Sequence, residues 1–341
     1  MKLNKIFRYF LYAILLVIAL GFSIVFFWDK LPYQSAAERK IEQFLEEKNI
    51  KVNALEIEKV SSTVAQISVF DIGKEKQLVL RNITANYQLS KPFSQQDLSG
   101  KITSDNVQII AEEFEIPQLK MLVDFKLAKE NFSADINLHS KDNTWKLLAN
   151  LDIPTANPSE GIAKIKQLKF PYLGGEISTK NVKLPLSFAK AISADITLKN
   201  VDLNQLMAKI SDGKISGTGN INGTIPLKYY PDGRIEFGDG ELKSAEAGVI
   251  AVAPELLAGD NEQMQITRTA LENFHYTILK IGVSSDNGKL TLNLNLQGNN
   301  PQAFSGQKIK LNINLNGDVL PLIQQSILPI NDIKQLLKEA K

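Results

Sequence analysis

Residues 289–296 read KLTLNLNL and residues 308–316 read KIKLNINLN. Leu290, Leu292, Leu294 and Leu296 alternate with polar residues, as do Ile309, Leu311, Ile313 and Leu315. A period of two places one apolar and one wet face on each strand. The same period recurs upstream. Ile83, Ala85, Tyr87 and Leu89 share a face, as do Phe132, Ala134, Ile136 and Leu138, and Ile192, Ala194, Ile196 and Leu198. Turn signals separate the runs: Gly174–Gly175, and glycines at 213, 233 and 288 in SDGK, PDGR and SDNGK. Short turns between alternating runs predict antiparallel meanders, and no helical crossovers intervene. The expectation is a mainly β chain of about fifteen strands, either packed as sandwiches or curled lengthwise into a trough.

Helical patterns punctuate the strands. Ser35 and Glu38 have capping-box spacing, followed by Ile41, Phe44, Leu45 and Lys48, which predicts an amphipathic helix capping the first strand. Asp202 is positioned to cap a short helix with Leu203, Leu206, Met207 and Ile210 on one side. A second insert is expected from Asp260 to Glu272, with Asp260 and Gln263 at capping-box spacing. The chain ends in an amphipathic tail whose stripe includes Leu320, Ile323, Ile327, Ile333, Leu336 and Leu337, broken at Pro329. This tail either covers the open end of the sheet or docks on a membrane or partner.

The first thirty residues change the picture most. Lys2, Lys5 and Arg8 precede an uncharged apolar run from Tyr9 to Trp28. Twenty residues at about 1.5 Å each span about 30 Å, the thickness of a bilayer core. The run is longer than a signal-peptide core, no cleavage motif follows it, and the flanking charges favour a cytoplasmic N-terminus. The expectation is an uncleaved single-pass anchor with the bulk of the chain beyond the membrane.

Charge and candidate chemistry are uninformative by comparison. The chain has 39 basic and 37 acidic residues and a net charge of +2, with no basic footprint for nucleic acid. Cysteine is absent, which excludes disulfides and thiolate metal sites. The two histidines, His139 and His275, lie inside strand patterns with no second ligand nearby. No nucleophile-elbow or EF-hand spacing occurs, and turn and cap roles account for the acids of GDNEQ and DGELKSAEAG. Asn293, Asn295, Asn312, Asn314 and Asn316 admit carbohydrate binding, though a solvated strand face is the simpler reading. Nothing points to an enzyme, a metal or a cofactor.

Four segments carry a family resemblance. They are the glycine-framed stretch from Asp239–Gly240 to Gly248, the segment with Ala270, Leu271, Asn273, Phe274 and Tyr276, the run from Gly288 through Gly298 to Asn300 and Pro301, and the helix after the last strand. In order and spacing they resemble the C-terminal domain of YdbH-like proteins, once labelled a dicarboxylate-transport domain, within the AsmA-like group that includes TamB. The resemblance covers roughly residues 210–327 and divides the chain into an anchor (1–30), a capping helix (31–50), a periplasmic β-rich domain (51–209), the YdbH-like domain (210–327) and a terminal helix (328–341). It implies an elongated antiparallel sheet folded as a trough, held at the bacterial inner membrane with most of the chain in the periplasm. It further implies that phospholipid acyl chains travel along the apolar wall between inner and outer membranes. Ile83, Tyr87, Leu89, Phe132, Ile136, Leu138, Ile196 and Leu198, with the apolar positions of 290–296 and 309–315, then become groove candidates. A C16 chain withdrawn from a bilayer exposes about 15 methylenes at about 0.8 kcal/mol each, roughly 12 kcal/mol, so a carrier needs a continuous apolar rail and no nucleophile. The alternative is a non-enzymatic scaffold for envelope or outer-membrane proteins, with an outer-membrane lipoprotein as a possible partner. Fifteen strands at about 4.8 Å advance only about 72 Å, short for one molecule to bridge an envelope.

Overall fold

The computed structural model describes residues 38–39, 42–43, 51–60, 63–72, 78–89, 98–110, 116–187, 189–211, 213–257, 259, 261–286 and 289–318. The expected anchor, most of the following helix, Gly288 and the tail after Asp318 lie outside the described residues.

Eighteen strands form one large antiparallel sheet, not closed. Its chain falls into two compact units, one up to Leu168 with Asn181–Ala189, the other Lys169–Lys180 with the chain from Lys190 on.

The N-terminal unit holds a meander of β1 (Val52–Val60), β2 (Val64–Ile72), β3 (Leu78–Leu89), β4 (Leu98–Ile109), β5 (Leu119–Leu127), β6 (Asn131–Ser140) and β7 (Lys146–Pro154), each paired with the next. Period-two alternation becomes burial: on β5, Leu119, Met121, Val123, Phe125 and Leu127 are buried while Lys120, Asp124 and Lys126 face water. Glu38 is helical, and its Oε1 accepts the β1 Ile57 N–H at 2.8 Å. A carboxylate thus occupies one donor of the first strand, so Glu38 serves the strand in addition to the cap role its spacing suggests.

Strands β8 (Ile162–Tyr172) and β9 (Gly175–Pro185) follow. Their turn is Leu173–Gly174, with φ 45° and 76°. Two consecutive positive φ values match a two-residue hairpin turn. The turn therefore sits one residue earlier than the Gly174–Gly175 reading, and Gly175 opens β9 instead.

In the C-terminal unit β10 (Ile192–Asp202) pairs with β9 and with β12 (Asn220–Tyr229). The ladder continues through β14 (Gly240–Ser244), β16 (Phe274–Asp286), β17 (Lys289–Asn299) and β18 (Ile309–Asp318). β11 (Ile215–Gly217) and β15 (Gly248–Val252) pair with each other, and β15 also lies along the start of β16. β13 (Ile235–Phe237) pairs with the end of β12. The count exceeds the expected fifteen because two strands are bent: β11 and β12 break at Thr218–Gly219, and β14 and β15 break near Ala245–Ala247. Three- and five-residue pieces are too short to display a period.

Two helices complete the unit, α1 (Leu203–Ser211) and α2 (Glu262–Leu271). Asp202 Oδ1 accepts the Gln205 N–H at 2.8 Å, the cap expected from sequence. The cap of α2 is Asn261, whose side chain accepts the Met264 N–H at 2.8 Å. The helix therefore starts later than the Asp260 reading, because Asn261 reaches the third helical amide.

Candidate functional site: apolar sheet faces

The candidate residues belong to two separate apolar faces. In the N-terminal unit Ile83, Tyr87, Phe132, Ile136 and Leu138 are all buried. Leu89 closes β3. Phe125 and Phe132 stack across adjacent strands with centroids 6.5 Å apart. Gly100 faces Tyr87 on one side and Phe125 on the other. A Cβ there would lie 2.9 Å from Phe125 Cζ, so the missing side chain makes room for a ring. Burial pushes the Tyr87 phenol up to about 12.

Leu198, Leu294 and Leu296 are buried in one cluster of the C-terminal unit, with Ile196, Leu290, Leu292, Ile309, Leu311 and Ile313 packed partly exposed against it. Leu315 lies on the same strand. That cluster also contains Leu203 and Met207 of α1 and Ala270 and Leu271 of α2. Two helices thus fill part of the interior, which the strand pattern does not reveal. Cover is densest around Leu294 and Leu296 and thinnest toward β18.

The family-motif residues build one corner of this face. Tyr276 is opposite Gly248 on β15 and Gly298 on β17. A Cβ on Gly248 would lie 2.6 Å from Tyr276 Oη, and one on Gly298 would lie 2.7 Å from Tyr276 Cα. The Tyr276 hydroxyl donates to Thr218 O at 2.5 Å, at the break between β11 and β12. Phe274 is fully buried beside it and Asn273 is partly exposed. Gly240 faces Val283, with Ile225 close behind. Asn300 is 2 % exposed, and its amide donates to the Thr269 and Ala270 carbonyls at the end of α2. Pro301 is exposed after it. These residues bend and lock the sheet.

The wet faces are tied within themselves. Asn293 donates to Asn314 at 2.6 Å and Asn295 to Asn312 at 2.8 Å across the β17–β18 pair. The asparagines read as a carbohydrate option thus bond one another as cross-strand pairs. His275 is exposed opposite Phe274 and Tyr276, and His139 lies half-exposed between Lys120 and Lys146.

The sequence reading missed the Asp71–Arg81 pair. Asp71 is 1 % exposed and receives Arg81 through both oxygens, and Arg81 also donates to Leu80 O at 2.9 Å. The Asp71 bond holds the guanidinium above its ordinary pKa. The signal lay in one acid and one base flanking the β2–β3 turn. A buried pair of this kind fixes register more than it stabilises.

The concavities do not resemble an active site. A cavity of about 450 Å³ in the C-terminal unit is lined by Asp202, Asn204, Thr218 and neighbouring backbone. One of about 210 Å³ lies on the wet face of the N-terminal unit, among Asp135, Asn150, Asp152 and Lys164. Among the described residues no three His, Cys, Asp or Glu side chains group as a metal site. No helix in that set is long and apolar enough to cross a membrane.

No curated protein and no solved structure matches the chain. A family model does: YdbH-like, described as intermembrane phospholipid transport protein YdbH, over residues 136–338. The match reaches upstream of the motif segments, into β6, and covers more than half of the 341 residues. The chain belongs to the YdbH-like family, a family of phospholipid transport.

Proposed function

We propose that this protein is a non-enzymatic carrier, anchored in the inner membrane by residues 9–28, that seats phospholipid acyl chains on its apolar strand faces and passes them toward the outer membrane. The observation that carries the reading is the division of each strand into an unbroken apolar side and a wet side, in a member of a phospholipid-transport family. Headgroups remain in water, so no charged pocket is needed. Acyl chains would enter the C-terminal unit where its cover is thinnest, at Leu290, Leu292, Ile309, Leu311 and Ile313. Each of these is partly exposed and gains contact area when a chain lies on it.

Lipid extraction and native mass spectrometry of the chain from residue 31 on test this. The expected result is copurifying phospholipid, reduced several-fold in Leu292→Glu and Ile313→Glu and unchanged in Asn293→Asp. Protein free of lipid contradicts the carrier.

A scaffold for envelope proteins is the second reading. It is favoured by one observation: α1 and α2 already occupy interior space in the C-terminal unit. It predicts stable protein partners and no loss of function in the glutamate variants.

A further inference from the structure

Five large apolar side chains are exposed among the described residues, and three fall in the C-terminal unit: Ile266 (44 %) on α2, Ile278 (39 %) on β16 and Phe304 (37 %) in the β17–β18 turn. Asn300 ties this turn to α2 through the Thr269 and Ala270 carbonyls, and its Oδ1 accepts the Gln302 N–H at 2.9 Å. The turn has an unusual backbone. Phe304, Ser305 and Gly306 are consecutive left-handed residues, with φ 52°, 53° and 70°. A bulky side chain rarely adopts this conformation, and such outliers persist only where their surroundings enforce them. Here Ala303 N–H donates to Asn300 O, Gly306 N–H to Ala303 O and Gln307 N–H to Phe304 O, at 3.0–3.2 Å. The strain presents an aromatic ring to solvent, where it does nothing for the core.

The surrounding charge has one sign. From Asn287 to Gly317 there is no Asp or Glu, and there are three lysines, Lys289, Lys308 and Lys310. Lys308 and Lys310 are exposed. Lys310 pairs across to Gln297, which pairs to Ile278, so a lysine and an exposed isoleucine lie in one cross-strand row. Glu272, also exposed, is the carboxylate at the end of α2. A protruding ring with aliphatic side chains and lysines nearby matches the interfacial zone of an anionic bilayer. There, rings sit at headgroup depth and ammonium groups meet phosphates.

We propose that the corner formed by α2, the start of β16 and the β17–β18 turn is a contact surface for an anionic lipid bilayer, with Phe304 at its tip and Lys308 and Lys310 beside it. It deepens the carrier reading and rests on it: a carrier that releases phospholipid must touch the receiving membrane.

The test reconstitutes the full chain in phosphatidylcholine nanodiscs and offers separate fluorescent vesicles. The expected result is capture of phosphatidylcholine–phosphatidylglycerol vesicles and not of pure phosphatidylcholine vesicles. At about fivefold per surface lysine, Lys308→Gln with Lys310→Gln weakens capture about thirtyfold. Phe304→Ser weakens it by about fivefold to tenfold. Copurifying phospholipid is measured on the same samples and stays at the wild-type level in both variants. Loss of that lipid in the wild type sinks the carrier reading, whatever capture shows. The surface proposal is overturned if the wild type captures neither vesicle, captures both equally, or captures as well with the lysines neutralised. Should Phe304→Ser lower the melting temperature, the lysine pair decides alone, since both side chains are exposed.

Discussion

Tyr276 shows how single residues set this architecture. Its ring needs two glycines as cross-strand neighbours, and its hydroxyl reaches the Thr218 carbonyl where the sheet bends. An added methyl has nowhere to go, so Gly298→Ala is expected to cost about 1–3 kcal/mol, read as a shift in denaturant midpoint at constant slope. Tyr276→Phe leaves a carbonyl without its donor and costs about 1 kcal/mol. These positions were legible as a motif, but their reason was not: sequence displays spacing, whereas the pairing of one tyrosine with glycines 28 residues before it and 22 after it is a matter of register. Tyr87 gives a pH test. Its phenol titrates at about 12 when folded against 10.0 when free, because burial disfavours the anion. The folded state therefore holds the proton more tightly, and the associated stability is complete below pH 10 and lost as pH rises toward 12. Tyr87→Phe should flatten that alkaline loss in chemical denaturation measured from pH 9 to 12. An unchanged slope would assign the loss to other groups.

At the scale of elements, the long strands were readable because alternation over nine to twelve residues is unambiguous. β17 and β18 pair as their matching patterns suggest, Leu294 opposite Ile313 and Asn295 opposite Asn312. The short strands were not readable, since β11 and β13 have only three residues each and their partners are remote in sequence. The helices were located from their caps, with α2 displaced because Asn261 caps it. Asn261→Ala should cost about 1 kcal/mol by thermal melting, and Asp260→Ala should be nearly neutral. What α1 and α2 do was hidden, because an amphipathic stripe does not name the surface it covers. Met207 lies at 3 % exposure in the cluster that holds Leu294 and Leu296. Met207→Ala should destabilise by about 2–5 kcal/mol if the helix is fixed core. A much smaller loss, together with increased lipid loading, would mark α1 as displaceable by acyl chains.

For the whole molecule, fold class and family were both accessible from the chain: period-two patterning gave antiparallel β, and four short motifs gave the YdbH-like family, matched over residues 136–338. The catalytic search returned nothing in the sequence, and the cavities offer no convergent titratable cluster. Those two results fit a function distributed over a surface. Such a site cannot be read residue by residue, because each apolar position is equally explained by packing. Burial of Ile83, Phe132 or Leu294 reports the protein without lipid and leaves the occupant to experiment. The most direct measurement places a photocrosslinker in the full chain in cells, at inward Leu292 and Ile313 and at outward Asn293 and Asn314. The carrier account predicts phospholipid adducts from the inward pair and none from the outward pair. Adducts from neither pair, or equally from both, would contradict it.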